Sequence, residues 1–156
     1  LATVNSPISI NGWQTIAVAG TKVWNAKQYS GNVYARMSAF QSNESSNIAW
    51  LISPKITIPS GKDVFFKFDT EYSFWANAIL EVYISKNYDG TNPGTAEWTK
   101  LDATIANQSV GQYSWVNSGL IKLNDFAGDA YIGFKYTGSN TLSTTFDVDN
   151  VSVYTF

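Results

Sequence analysis

The chain of 156 residues contains no cysteine and no histidine. The first absence excludes disulfides, thiolate nucleophiles and cysteine metal sites; the second excludes imidazole bases, Ser-His-Asp triads and the usual zinc and copper centres. Any chemistry must therefore run on carboxylates, Lys, Arg, Tyr or Ser. Charge is also scarce, at 14% of residues, against about 25% in an average soluble protein. With 10 basic and 12 acidic residues the net charge is −2. Arg36 is the single arginine and there is no basic cluster, which excludes nucleic acid as an expected partner, because phosphate neutralisation needs grouped cations. No apolar run approaches the ~20 residues needed to cross a bilayer, so no membrane insertion is expected. The chain starts at Leu1 without a signal-like segment and reads as one module, 1–156, excised from something larger and monomeric. A chain this long buries roughly 68–70% of its unfolded surface, enough for a core without disulfides.

What the chain has instead is aromatic residues, at 15%, and amides and hydroxyls in place of charge. No apolar period of 3.6 is long enough for a helix, whereas two-residue alternation recurs throughout. Strands are predicted over 33–40, 50–58, 64–71, 80–85, 98–105, 114–123, 130–137 and 144–154, with a helical turn at 95–97. Gly, Asn, Pro and Asp clusters separate them, and eight short strands at this spacing predict an all-β sandwich. The alternation assigns faces. Ala35, Met37, Ala39, Phe66, Phe68, Thr70, Leu80, Val82, Ile84, Ile132, Phe134 and Tyr136 form the expected core set. Tyr34, Arg36, Lys67, Asp69, Glu71, Glu81, Tyr83 and Lys135 form an opposing polar, aromatic-bearing face.

Three stretches carry a family resemblance. They are 24–40 with Trp50-Leu51-Ile52-Ser53-Pro54-Lys55-Ile56, then Leu80 to Ser85 with Asn87-Tyr88-Asp89-Gly90, and finally Ala127 to Tyr136 followed by Phe146-Asp147-Val148-Asp149-Asn150-Val151. Together they resemble the choice-of-anchor J and cleaved-adhesin domains of secreted Bacteroidetes proteins. The resemblance implies a jelly-roll β-sandwich of two antiparallel sheets, galactose-binding-like or MAM-like, secreted or held at the cell surface and appended to enzymes or adhesins. It also implies likeness to carbohydrate-binding modules and a structural calcium, for which Asp149 is the matching residue and Asp147 its neighbour. Two departures stand out: no Asp-Phe-Glu precedes Gly12-Trp13, and the loop after the third predicted strand, usually of small residues, reads Tyr72-Ser73-Phe74-Trp75-Ala76-Asn77.

Ligand contacts are expected from that loop and from the polar face. Trp75, with Tyr72 and Phe74 beside it, either stacks on sugar rings, whose C–H faces are apolar, or caps the end of the sandwich. Trp24 and Tyr29 flank the first predicted strand and either line a rim or pack inward. Trp13, Trp50, Trp98 and Trp115 are expected in the core or at its edge. Arg36, Lys67 and Lys135, with Tyr34, Tyr83 and Asp69, either bind an anionic glycan through the Arg36 fork or are neutralised by Asp69, Glu71 and Glu81. A neutral glycan is equally open. Asp147, Asp149 and Asn150 supply hard oxygen ligands for calcium, or Asp149 caps a neighbouring loop. Asp69, Glu71 and Glu81 are the nearest approach to a glycosidase acid pair, without the spacing of jelly-roll glycosidases, so no catalytic residue is expected. The expected function is a non-catalytic carbohydrate-binding module that targets a marine or plant polysaccharide for an attached enzyme. The alternative is an adhesin or spacer domain binding protein or nothing.

Overall fold

The computed structural model describes residues 3–156; Leu1 and Ala2 of the expected module lie outside the described residues. Twelve strands form two six-stranded sheets in which every pairing is antiparallel. The first sheet runs β1 (Gln14–Ala19), β4 (Asn47–Ile52), β11 (Gly128–Gly138), β7 (Ile79–Ser85) and β8 (Thr99–Lys100), with β5 (Ile56–Ile58) also paired to β11. The second runs β10 (Ile121–Lys122), β6 (Val64–Ser73), β12 (Thr145–Thr155), β3 (Asn32–Met37) and β2 (Asn25–Tyr29), with β9 (Val116–Asn117) on β6. Seven of the eleven connections between the described strands cross from one sheet to the other, which gives the jelly-roll sandwich. Its inner faces carry the core.

The alternating residues do this as expected. Phe66 and Phe68 of β6 meet Phe134 of β11 across the sandwich at ring separations of 6.3 and 5.0 Å. Met37, Ala39, Thr70, Leu80, Val82, Ile84, Ile132 and Tyr136 are all buried with them. The Tyr136 hydroxyl accepts from the Ala39 amide at 3.2 Å and donates to the Thr144 carbonyl at 2.6 Å. A buried phenol without such partners would cost the fold its desolvation penalty.

The strand pattern departs from the expected eight where backbone conformation intervenes. The run 50–58 breaks at Pro54 into β4 and β5. The run 114–123 breaks at Gly119, whose φ of +80° ends β9 before β10 begins. A bulge between Asp149 and Ser152 bends β12, with Asn150 at φ +53°. The run 98–105 pairs only at Thr99–Lys100, and the helical turn falls at Pro93–Thr95. Two edge strands, β1 and β2, were not among the predicted strands.

The sheet order also divides the single polar face of the sequence reading in two. Arg36, Lys67, Asp69 and Glu71 lie on the outer face of the second sheet. Tyr83, Glu81 and Lys135 lie on the outer face of the first, on the opposite side of the molecule.

Candidate functional site

The outer face of the second sheet carries the most elaborate polar arrangement. Antiparallel register sets Asp147 of β12 opposite Arg36 on one side and opposite Glu71 on the other. Arg36 Nε donates to Asp147 Oδ1 at 2.8 Å and Nη2 to Oδ2 at 3.1 Å, the two-bond fork that matches guanidinium to carboxylate. Two residues along β12, Asp149 sits opposite Asp69. Here amides hold the carboxylates: Asn32 Nδ2 donates to Asp149 at 2.8 Å, and Asn117 and Asn150 each donate to Asp69 at 2.9 Å.

Over this floor rise aromatic walls. Tyr34 stands beside Arg36 on β3, its ring 5.7 Å from the guanidinium carbon. Trp115, on the segment leading into β9, meets Tyr34 edge-on at 5.6 Å and is 40% exposed. With Tyr113 and Tyr29 these rings line a groove of about 720 Å³, whose polar floor is Arg36, Glu71, Gln28 and Asn32. Tyr113 reaches the groove through a backbone turned to φ +64°. The groove continues past Arg36 into a second depression of about 480 Å³ flanked by the exposed rings of Phe40 and Phe74.

Protonation follows from the crowding of acids. Burial pushes the Glu71 carboxyl up to about 8, the adjoining Asp147 carboxylate adds to the rise, and Arg36 opposes it. At neutral pH Glu71 therefore keeps its proton and is a donor. Arg36 is held above its ordinary value chiefly by its hydrogen bonds to Asp147. The Tyr34 phenol is raised by burial and then by Asp147. The floor thus combines donors, acceptors and one neutralised cation, a surface suited to hydroxyl-rich ligands between aromatic planes.

No protein-family model and no curated protein matches the chain. Solved structures do. The K1 cleaved adhesin domain of Lys-gingipain from Porphyromonas gingivalis W83 superposes with a TM-score of 0.59 at 21% identity, covering 94% of this chain and 92% of that one. The chain has the cleaved-adhesin fold. The same fold extends to TmCBM61, solved with β-1,4-galactotriose, at TM-score 0.59, 12% identity and 94% and 90% coverage. It extends also to the enzymatically active domain of bacteriophage CBA120 tailspike protein 4, at TM-score 0.61 and 14% identity. There the match covers 95% of this chain but 20% of the phage chain.

Within this cleaved-adhesin fold, Arg36, Tyr34 and Glu71 line one groove, Asp147 is buried against Arg36, and Asp69 and Asp149 lie beside the groove on the same sheet face. Other expected site residues do not line the groove. Trp24 is fully buried and its Nε1 donates to the Ala49 carbonyl at 3.2 Å, so it is a core residue and lines no rim. Tyr72 belongs to β6, is buried, and donates its hydroxyl to the Val110 carbonyl at 2.6 Å. Trp75 packs edge-on to Tyr72 at 5.4 Å and to Phe146 at 6.1 Å and lines a separate depression with Ile79 and Ile105. Lys67 shares the groove's face but lies 5.7 Å from the Tyr154 ring. Tyr83 and Lys135 sit across the molecule, where Lys135 Nζ is 5.6 Å from the Trp50 ring and 6.0 Å from Tyr83. Glu81 is there too, paired with Lys100 at 3.4 Å, so it forms no acid pair with Asp69 or Glu71.

The two residues expected to hold calcium already have side-chain partners. Asp147 offers both oxygens to Arg36, Asp149 accepts from Asn32, and among the described residues no group of three or more acidic side chains is arranged to hold a metal. In the N-terminal segment, Asn5 Oδ1 accepts from Lys27 Nζ at 3.0 Å. Calcium needs 6–8 oxygens.

Sequence reasoning missed Trp115, Tyr113 and the asparagine clamps. Trp115 falls in a predicted strand and reads as core or its edge, whereas the segment that carries it over Tyr34 leaves it 40% exposed.

Proposed function

We propose that the chain is a non-catalytic carbohydrate-binding module, exported to the cell surface or medium, which directs an attached enzyme to a polysaccharide. The carrying observation is the open groove on the second sheet, with Tyr29, Tyr34, Tyr113 and Trp115 around a polar floor of Arg36, Glu71, Gln28 and Asn32. Sugar rings present apolar C–H faces and polar edges, so an extended chain laid along the groove stacks on the rings while its hydroxyls meet the floor. The fold shared with a galactotriose-bound module supports this reading. Affinity is micromolar or weaker, because a few stacked rings and solvated hydrogen bonds offset little more than the cost of association.

Native affinity electrophoresis in gels containing plant and algal polysaccharides tests it, with Trp115→Ala as the variant. Loss of the ring is expected to weaken retention by ~1–3 kcal/mol, the scale of an anchoring aromatic. Because Trp115 is 40% exposed, its melting temperature should stay near that of the parent. Parent and variant running alike in every gel would refute the groove as the site and leave an adhesin or spacer role.

A further inference from the structure

We propose that the groove takes an uncharged glycan chain and rejects anionic ones, because Arg36, the one cation lining it among the described residues, already has its fork closed on Asp147, and the Asp69 and Asp149 carboxylates stand beside it. This rests on the glycan-binding reading and adds the class of chain. An exposed arginine in an aromatic groove ordinarily signals a receptor for sulfate or uronate. Here both Nε and Nη2 are engaged by Asp147, whose side chain is only 2% exposed. An anion drawing the guanidinium away would strand a buried carboxylate without its partner, a strongly unfavourable exchange.

Among the described residues no other cation lines the groove, Lys22 and Lys27 lining only the depression beyond Arg36. Asp69 and Asp149 face each other beside the groove, held by amides and by no cationic side chain. Lys27 Nζ is turned to Asn5 at 3.0 Å, and Lys67 lies over Tyr154. An anionic chain therefore finds no unpaired cation in the groove and two carboxylates beside it. An uncharged chain meets the Gln28 and Asn32 amides, Glu71 and Arg36 Nη1, which has no protein partner among the described residues.

Affinity electrophoresis and titration calorimetry would compare β-1,4-galactan, xylan and galactomannan with polygalacturonate, alginate and κ-carrageenan, at about 20 and about 500 mM NaCl. At least one uncharged polymer should bind, with affinity changing less than about twofold between the two salt concentrations. Every anionic polymer should bind at least about tenfold more weakly at low salt, and added salt should not weaken it further. The double variant Asp69→Asn, Asp149→Asn, checked by melting for its fold, should narrow the gap between the classes at least about threefold. An anionic polymer that binds best and is released by salt would overturn the inference while leaving glycan binding intact. An unchanged gap in a folded double variant would overturn the role of the carboxylates. Binding of no polymer of either class would overturn the glycan reading itself, and this inference with it.

Discussion

Replacing Glu71 by Gln should remove a pH dependence of stability that the parent carries between about pH 4.5 and 8. In the unfolded chain the Glu71 carboxyl titrates at its ordinary value of 4.5, whereas in the fold burial, and then the Asp147 carboxylate, raise it to about 8. Across that window the native state holds a proton that the unfolded state has lost. Stability therefore falls as pH rises: the contribution is complete below 4.5 and gone once the pH has passed through the folded value. At 1.36 kcal/mol per pH unit the full span sets an upper bound of ~5 kcal/mol. Screening by solvent at the groove brings this to ~2 kcal/mol. For a chain of this size that is roughly 4–8 °C in melting temperature.

The window is otherwise quiet, because the chain has no histidine. Melting curves collected by calorimetry from pH 5 to 9 should thus show the parent losing roughly 4–8 °C while Glu71→Gln stays flat. The amide donates to Asp147 at every pH, so the variant should match the parent at pH 5. A parent whose melting temperature is level or rises from pH 5 to 8, or a Gln variant that falls with it, would refute the shared-proton account.

Trp75→Ala should cost ~2–4 kcal/mol in urea unfolding, since the ring packs on Tyr72 and Phe146 and its loss opens a cavity at the end of the sandwich. Its polysaccharide retention should match the parent's at temperatures where it is folded. Gly133→Ala should destabilise by ~1–3 kcal/mol through overpacking, because a Cβ there would stand 2.8 Å from the Trp50 ring and 3.1 Å from Trp98. Arg36→Met should cost ~3–5 kcal/mol at pH 7 by leaving Asp147 buried and unpaired. Melting curves with chelator and with millimolar calcium should superimpose, a metal-dependent rise being the contrary result.

How much of this was legible in the sequence depended on the range of the information. Alternation is local, so the inward set from Met37 to Tyr136 was readable: each apolar residue needs only its neighbours two positions away to declare a face. The same rule placed Tyr34, Arg36, Asp69 and Glu71 outward, where they are. It could not say which sheet each strand joins, and so it merged Lys135 and Tyr83 with Arg36 although the core lies between them. Local rules also fail where a covering loop inverts the meaning of a face. Trp50 alternates outward from Leu51, yet the segment carrying Tyr88 and Trp98 folds over it and buries it, with stacked indoles 4.5 Å apart. Trp115 shows the opposite case, an apolar residue raised over a polar sheet.

The floor of the groove was the least legible part, for a reason of the same kind. Asp147 attracts attention in the sequence as an oxygen ligand in an acidic pair with Asp149, and Arg36 as a free cation. Their pairing spans 111 residues and exists only because β12 lies between β3 and β6. Once that strand order is known, the meaning of both residues changes together. The carboxylate ceases to be a metal ligand because a guanidinium occupies it, and the guanidinium ceases to be an anion receptor because the carboxylate is buried. Glu71, set opposite Asp147 from the other side, must then keep its proton. Strand order alone converts three residues that suggest calcium, anion binding and acid catalysis into one neutral, hydrogen-bonding strip.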